Sequence, residues 1–213
     1  MKKILILSLF FVFAGSVCAQ EARFPSSQAK EIDVYINSGK LIVKSADTKE
    51  VSVSIEPQNQ DFLNGVRLLG ERKLLVMAKD LPVDSASVVT ITVPLRSDVE
   101  IDSIAADIVA ENLSGDLDIN SERGSVLVKN FNGDFDIDTH FAEVRADGVF
   151  RDLSVETSAA EVFITLNSLP VFYEYDLEGS GNVTFLLSKG VSKKKLKLDM
   201  EDFRGNVKFQ DIK

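Results

Sequence analysis

The sequence contains few of the residues that carry most catalytic and redox chemistry. Its 213 residues include one cysteine, one histidine and no tryptophan. The single cysteine, Cys18, lies beside an N-terminal apolar segment, so the remainder of the chain has no thiol. This excludes a cysteine nucleophile, a thiolate zinc site and a thiol redox motif there. A chain without disulfides must be stabilised by its hydrophobic core and its backbone hydrogen bonds.

Positive charge is also scarce. Lysine and arginine together number 24, against 33 aspartate and glutamate residues, and the formal net charge is −9. A negative surface repels the phosphates of nucleic acids and of anionic lipids. We therefore predict no nucleic-acid partner. The one basic cluster, Lys193–Lys195 with Lys197, is interpreted as a solvated loop because acidic residues follow it at Asp199 and Asp202.

The N-terminus has the pattern of a secretory signal. Lys2 and Lys3 precede the apolar run Ile4–Ala14, which is too short to span a bilayer comfortably. Small residues follow at the position expected for cleavage before Gln20. We therefore predict that residues 1–19 are a signal peptide.

The segment after this signal is predicted to be one exported domain, residues 20–213, located in the periplasm, at the cell surface or outside the cell. No later stretch approaches the 18 apolar residues of a membrane helix, so we expect no transmembrane helix in the mature chain. Lipid attachment at Cys18 is the less favoured alternative. Bacterial lipoprotein signals have a small residue before the cysteine, and here that residue is Val17.

Most of the chain alternates apolar and polar residues with period 2, which is typical of half-buried strands. Examples are Ile32–Ile36, Val51–Ile55 and Val89–Val93, all rich in β-branched residues. No segment has a convincing amphipathic helical pattern. The best helical window, Gln60–Leu69, is interrupted by Gly65.

Residues 106–167 repeat with a period of 18, and each period contains two strands separated by Asn- and Gly-containing turns. The aligned columns are Ile108, Val126, Val144, Val162; Ala110, Val128, Ala146, Ile164; Leu117, Phe135, Leu153; Ile119, Ile137, Val155; and Ala106, Gly124, Ala142, Ala160. Leu113, Phe131 and Val149 recur just inside a turn and are expected to cap the edge of the core. After Leu166 the spacing lengthens, so that Val183 is the next match to Val162. We therefore predict irregular capping segments on both sides of the repeats.

A fixed period of this kind indicates stacked supersecondary units. We predict an all-β fold, a β-solenoid or β-roll-like stack of two-strand repeats of about 18 residues. The alternative is a β-sandwich of meandering strands, because alternation alone does not determine strand order.

Two motifs, Leu113–Ile119 (LSGDLDI) and Phe131–Ile137 (FNGDFDI), carry a family resemblance, together with Val93–Leu95 ahead of the first repeat. The chain resembles the bacterial β-strand-repeat domain of unknown function called the putative adhesin family, over about residues 30–210. The resemblance implies an exported, all-β domain with no established catalytic residue. This sequence departs from the motif in the third unit, where Arg151 replaces the glycine.

The aspartates of these motifs also fall in columns. Asp116, Asp134 and Asp152 share one column, and Asp118 and Asp136 share the next. If the strands stack in parallel, like charges lie about 5 Å apart and repel one another. A calcium ion bound by several of these oxygens would relieve the repulsion, and these five residues are the candidate ligands. A solvated outer face is the preferred explanation, since the glycine-rich nonapeptide of calcium-binding β-rolls is absent.

No catalytic residue is predicted. His140, the only histidine, falls in a turn column with Glu122 and Ser158, but no nucleophile elbow or oxyanion loop surrounds it. We interpret it as a turn histidine that is hydrogen bonded to a neighbour. Arg145 is expected to pair with neighbouring acids rather than to contact a substrate.

The sequence thus favours a non-catalytic, exported cell-envelope protein with no cofactor other than the candidate calcium. It would act as an adhesin-like scaffold or binding surface for a protein or glycan partner. Two alternatives are an envelope sensor or accessory subunit of a membrane partner, and a carbohydrate-active β-helix enzyme that uses converging carboxylates.

Overall fold

The computed structural model describes residues 20–57, 62–78 and 87–212. The predicted signal peptide and Cys18 lie outside these residues. Among the residues described, almost everything is β-strand and no helix is long and apolar enough to cross a bilayer. The strands are β1 Gln20–Pro25, β2 Glu31–Ala46, β3 Glu50–Glu56, β4 Val66–Leu69, β5 Lys73–Ala78, β6 Val88–Pro94, β7 Asp98–Glu111, β8 Ser114–Ser121, β9 Ser125–Thr139, β10 Glu143–Leu166, β11 Glu174–Leu187 and β12 Asn206–Asp211. Two short 3₁₀ helices are η1 Phe62–Gly65 and η2 Lys193–Lys195.

The strands form one mixed sheet that does not close on itself. Its main path runs β1-β3-β6-β2-β7-β8-β9-β10-β11-β12, and the β4–β5 hairpin attaches to β2 through β5. The pairs β1–β3, β3–β6 and β4–β5 are antiparallel, and every pair from β2–β7 onwards to β12 is parallel. The predicted all-β class is confirmed, and an open mixed sheet is consistent with the sandwich alternative as well.

The 18-residue period of the sequence matches the pairing register of the sheet, because residues one period apart pair on adjacent strands. Leu117 of β8 pairs with Phe135 of β9, and Phe135 pairs with Leu153 of β10. The second set of columns pairs in the same way, with Val126 of β9 between its partners in β7 and β10. Beyond the repeats Val162 pairs with Val183, which confirms the lengthened spacing.

The apolar columns form the core. Their members, Ile108, Val126, Val144, Val162, Leu117, Phe135, Leu153, Ile119, Ile137 and Val155, are each at most 2 % exposed and belong to one continuous cluster. Alternate residues of each strand point inward, so a period-2 apolar pattern on stacked strands buries one face of each. The buried column is the main source of stability, because burial of each large side chain stabilises the fold by about 1.5–3 kcal/mol.

A buried hydroxyl group lies at the corner between the two strand segments of each repeat. These hydroxyl residues form a column that the sequence analysis did not predict. Ser103, Thr139 and Thr157 each accept a hydrogen bond from the backbone N–H three residues later, at 3.1–3.2 Å. Ser121 occupies the same position and donates to the Arg123 carbonyl at 3.1 Å. These bonds satisfy polar groups that would otherwise be costly to bury.

The prediction for Val149 was wrong. The strict period aligns Val149 with Phe131, but the structure pairs Gly148 with Phe131 and leaves Val149 half-buried. Phe150 enters the core instead, and its ring lies 5.7 Å from the ring of Phe131. The reason is a pair of β-bulges that compensate each other. In the first, around Asp147, β9 contributes one extra residue, and in the second, at Arg151, β10 contributes one extra residue.

The second bulge determines where one charged side chain lies. Phe150 pairs with Gly133 and Asp152 with Asp134, so Arg151 between them has no partner position in β9. The regular register returns at Asp152, which is why the sequence period hides the irregularity.

Candidate functional site

The strongest polar feature is an outward-facing surface on β2, β7, β8, β9, β10 and β11. Fifteen carboxylates occupy alternate positions of these neighbouring strands, and we call this set the acidic face. Its members are Glu31, Asp33, Asp98, Glu100, Asp102, Asp116, Asp118, Asp134, Asp136, Asp138, Asp152, Glu156, Glu174, Asp176 and Glu178. The pattern follows from the repeat, because in-register parallel pairing places the same residue type on adjacent strands about 4.8 Å apart.

Two basic side chains partly neutralise this face. The Lys73 Nζ lies 2.6 Å from Asp33 Oδ2 and 4.0 Å from Glu100 Oε2. The guanidinium of Arg151 donates to Asp134 Oδ2 at 2.8 Å and lies 3.9 Å from Asp116 Oδ1. The other eleven carboxylates form no ion pair with any residue that the structure describes.

The remaining charges perturb one another. The pKa of Asp118 is raised, first by partial burial and then by Asp136 and Glu100. The pKa of Asp136 is raised mainly by burial and by Asp152, although a hydrogen bond from Ser154 opposes the shift. Both shifts therefore come first from the loss of solvent around the carboxylate and then from repulsion by neighbouring carboxylates.

Glu178 and Tyr35 lie in the row next to the corner and respond to the same field. The pKa of Glu178 is raised chiefly by the charge of Asp176. The pKa of the Tyr35 phenol is raised by burial and then by Asp102. The negative potential therefore extends across the width of the face, from β2 to β11.

The five candidate calcium ligands all lie on the acidic face. Asp116, Asp134 and Asp152 are adjacent in one row, and Asp118 and Asp136 in the next. Within the described ranges, no three His, Cys, Asp or Glu side chains converge closely enough to hold a metal ion. Arg151 supplies between Asp116 and Asp134 the positive charge that a cation would otherwise provide. Calcium binding by these aspartates stays a prediction.

A shallow groove runs along the corner beside the acidic face, lined in part by Tyr35, Asp102, Asn120, Asp138 and His140. The Nδ1 of His140 lies 3.4 Å from the hydroxyl of Ser158. This confirms the interpretation of His140 as a turn histidine that is hydrogen bonded to a neighbour.

The third member of that turn column is engaged elsewhere. Glu122 pairs with Arg123, whose guanidinium lies 2.8 Å from its carboxylate. The predicted pairing of Arg145 is confirmed as well: it lies 2.7 Å from Glu143 and stacks over the ring of Phe163 at 4.6 Å.

Sequence reasoning found only the part of the acidic face that lies within the repeats. It missed the flanking strands, although their alternating acids, Asp98-x-Glu100-x-Asp102 and Glu174-x-Asp176-x-Glu178, are visible in the sequence. It also missed the bridging role of Arg151, since only the bulge in β10 places that side chain over the neighbouring aspartates.

Comparison with known proteins gives matches at the level of solved structures alone. No family model matches the sequence, and no curated protein does. A putative adhesin from Bacteroides fragilis is 13% identical with a TM-score of 0.42, over 92% of this chain and 98% of that one. A putative cell adhesion protein from Clostridium sporogenes is 12% identical with a TM-score of 0.40, over 91% of this chain and 96% of that one.

A third such structure, a putative adhesin from Parabacteroides distasonis, is 13% identical with a TM-score of 0.32, over 93% of this chain and 98% of that one. The Bacteroides fragilis and Parabacteroides distasonis structures carry the same description, putative adhesin, as the family that the Gly-Asp motifs of this chain resemble.

Proposed function

We propose that this chain is a non-catalytic, exported cell-envelope protein that uses its acidic face to bind a positively charged protein partner. The observation that carries the proposal is the set of eleven carboxylates on that face without an ion-pair partner among the described residues. Fixed charges of one sign attract a complementary surface, accelerate its association and reject partners of the same sign.

The geometry of the face favours a partner segment in extended conformation. Acidic side chains alternate along each strand, so neighbouring carboxylates of one strand, such as Asp116 and Asp118, are about 6.6 Å apart along the chain. Lysine or arginine residues at alternate positions of an extended segment have the same spacing. Such a segment would place each cation between two rows of carboxylates.

The wider architecture belongs to the same proposal. Residues 20–213 would form one domain, wound as a solenoid with one repeat per turn, behind a signal peptide of residues 1–19. In support of winding, β9 pairs with β7 through its first half and with β8 through its second half. A stack of this kind is rigid and presents a long flat face, which suits a scaffold.

A charge-matched comparison tests the role of the face. Asp118→Asn/Asp136→Asn removes two unpaired charges from the acidic face, and Asp47→Asn/Glu71→Gln removes two exposed charges from turns elsewhere. Calorimetric titration with a peptide of alternating lysine and threonine measures the Kd of each protein at low and moderate salt.

We expect the acidic-face variant to raise Kd about fivefold, since each exposed pair contributes up to about 1 kcal/mol, while the control leaves Kd unchanged. An equal effect of both variants would show that net charge alone attracts the peptide, and would overturn the proposal. Release of products from a panel of envelope polysaccharides would overturn its non-catalytic part.

A further inference from the structure

The loop between β10 and β11 exposes the two most solvent-accessible apolar side chains in the described part of the molecule. Val171 is 89% exposed and Phe172 is 86% exposed, against 63% for Phe141, the next large apolar side chain. Two adjacent apolar side chains this exposed, in a chain rich in surface carboxylates, are candidates for contact with an apolar medium or partner.

This loop is anchored to the core behind it. Tyr173 follows Phe172, and its ring centroid lies 5.0 Å from that of Tyr175. Tyr175 is buried, and its hydroxyl donates to the Phe150 carbonyl at 3.1 Å. Val171 and Phe172 therefore project from a fixed base.

The one lysine cluster of the chain is attached to the same loop. The Tyr173 hydroxyl donates to the backbone carbonyl of Lys195 in η2. Tyr173 and Lys197 line one shallow recess, together with the acids Glu174 and Asp199. Lys193, Lys194, Lys195 and Lys197 are exposed, and none forms an ion pair with a residue that the structure describes. The recess itself thus contains one lysine and two acids, and the three lysines of η2 adjoin it through the contact of Tyr173 with Lys195.

We propose that Val171 and Phe172, with the lysines of η2 and Lys197, form a peripheral docking site for an anionic lipid surface. Apolar side chains enter the boundary between headgroups and acyl chains, and lysines attract the anionic headgroups. A convex apolar projection fits a deformable lipid surface, whereas a folded protein partner would need a matching pocket. Repulsion between the acidic face and the same headgroups would orient the domain with this loop foremost.

This site is independent of the proposed function of the acidic face. The proposal adds a binding role to Lys193–Lys195, which the sequence analysis interpreted as a solvated loop, because Tyr173 next to Phe172 contacts Lys195. Because the chain contains no tryptophan, the fluorescence of a single introduced tryptophan reports on its own position alone.

The test uses the full chain carrying Phe172→Trp, titrated with vesicles of phosphatidylcholine alone or mixed equally with phosphatidylglycerol. The matched control carries Phe141→Trp, at an exposed aromatic position on a different corner. The measurements are the shift of tryptophan emission to shorter wavelength and its quenching by brominated acyl chains. Both report the depth of one side chain, so binding through the apolar segment Ile4–Ala14 does not imitate them.

We expect a blue shift and quenching at position 172 with anionic vesicles, and little of either at position 141. Adding Lys193→Gln/Lys194→Gln/Lys195→Gln to the Phe172→Trp protein should weaken its partitioning into anionic vesicles about a hundredfold. Each lysine near an anionic surface contributes about a factor of five. The equal charge change Lys40→Gln/Lys44→Gln/Lys49→Gln should weaken it far less.

Three results would overturn the proposal. One is the absence of any shift at position 172. The second is an equal shift with neutral vesicles, which would remove the role of the lysines. The third is a shift that grows with protein concentration without lipid, which would identify a second copy of the chain as the occupant.

Discussion

At the scale of single residues, neighbouring side chains on one strand have opposite roles. Phe135 is 1% exposed in the core, whereas the side chain of Asp134 is 38% exposed and paired with Arg151. The sequence period predicted this inside-outside assignment correctly, because burial of one strand face leaves only two choices of register.

Substitution of the two residues should separate these roles. Phe135→Ala should lower the free energy of unfolding by about 3–5 kcal/mol, through lost burial and a cavity beside Phe131 and Phe150. Asp134→Ala should change it by less than about 1 kcal/mol, because the ion pair that it removes is solvent-exposed. Urea denaturation measures both, and similar losses at the two positions would show that the register is wrong.

The raised pKa values of Asp118 and Asp136 lead to a prediction about pH. An acid whose pKa is higher in the folded than in the unfolded state stabilises the fold while it is protonated. That contribution is lost as pH rises from the ordinary carboxylate range, about pH 4, through the raised folded value. The charges of these two residues should therefore make the protein less stable at neutral pH than in mild acid.

Denaturation at pH 4, where an ordinary carboxylate is about half protonated, and at pH 7 tests this sign. Asp118→Asn/Asp136→Asn should reduce the loss of stability between the two pH values and increase stability at pH 7. The control Asp47→Asn/Glu71→Gln keeps the net charge equal to that of the variant. An unchanged pH dependence in the acidic-face variant would contradict the assignment of these two carboxylates.

At the scale of elements, the corners set how closely successive repeats approach. Gly124 lies in the turn just before β9 with φ +105°, and a Cβ built there would lie 2.3 Å from the Ala106 carbonyl oxygen. The sequence placed Gly124 in a column of small residues, which indicated a close approach, but the exclusion of a Cβ at Gly124 was not visible because the other three members are alanines. The bulges around Phe150 were not visible, because one compensates the other within a single repeat.

Gly124→Ala should therefore destabilise the protein more than an alanine at another positive-φ glycine. Gly70 is the control, with φ +69° and no atom within 4 Å of the place where a Cβ would lie. Both substitutions incur backbone strain, and only Gly124→Ala adds a clash, which should cost about a further 1–3 kcal/mol. Equal losses of stability, measured by urea denaturation, would mean that adjacent repeats can separate at this corner.

At the scale of the whole molecule, the proposed solenoid and a sandwich differ in their response to deletion. Deletion of residues 109–126 removes one full period. It joins Ile108 to Leu127, so that Ile108 takes the place of Val126, the next member of its column. In a stack, the shortened chain keeps every inward side chain inward and should unfold cooperatively at a lower temperature.

Deletion of residues 109–125 is the matched control, since it falls one residue short of a full period and reverses the alternation relative to all earlier strands. This chain should fail to form a cooperative fold. Far-UV circular dichroism with thermal unfolding distinguishes the two chains. Loss of folding in both would favour a sandwich, in which strand order depends on connections that are not interchangeable.

The register of the repeats could be predicted from the sequence for two reasons. The alternation of apolar residues determines which face of each strand is buried, and the fixed period determines which residues pair. The extent of the acidic face could be predicted only in part, because Glu31 and Asp33 join it through long-range pairing of β2 with β7. The contact of Tyr173 with Lys195 had no signal, since it depends on how the irregular loop folds back.

The order of strands also has a mechanical consequence. β1 and β12 occupy opposite ends of the pairing path, and from β2 to β12 each strand is held by the next. In the proposed solenoid, tension between the two ends would break the hydrogen bonds of one strand at a time, so the protein would lengthen in steps rather than unfold at once. Each released repeat would add about 60 Å of extended chain, which would make the protein a stepwise extensible tether under load.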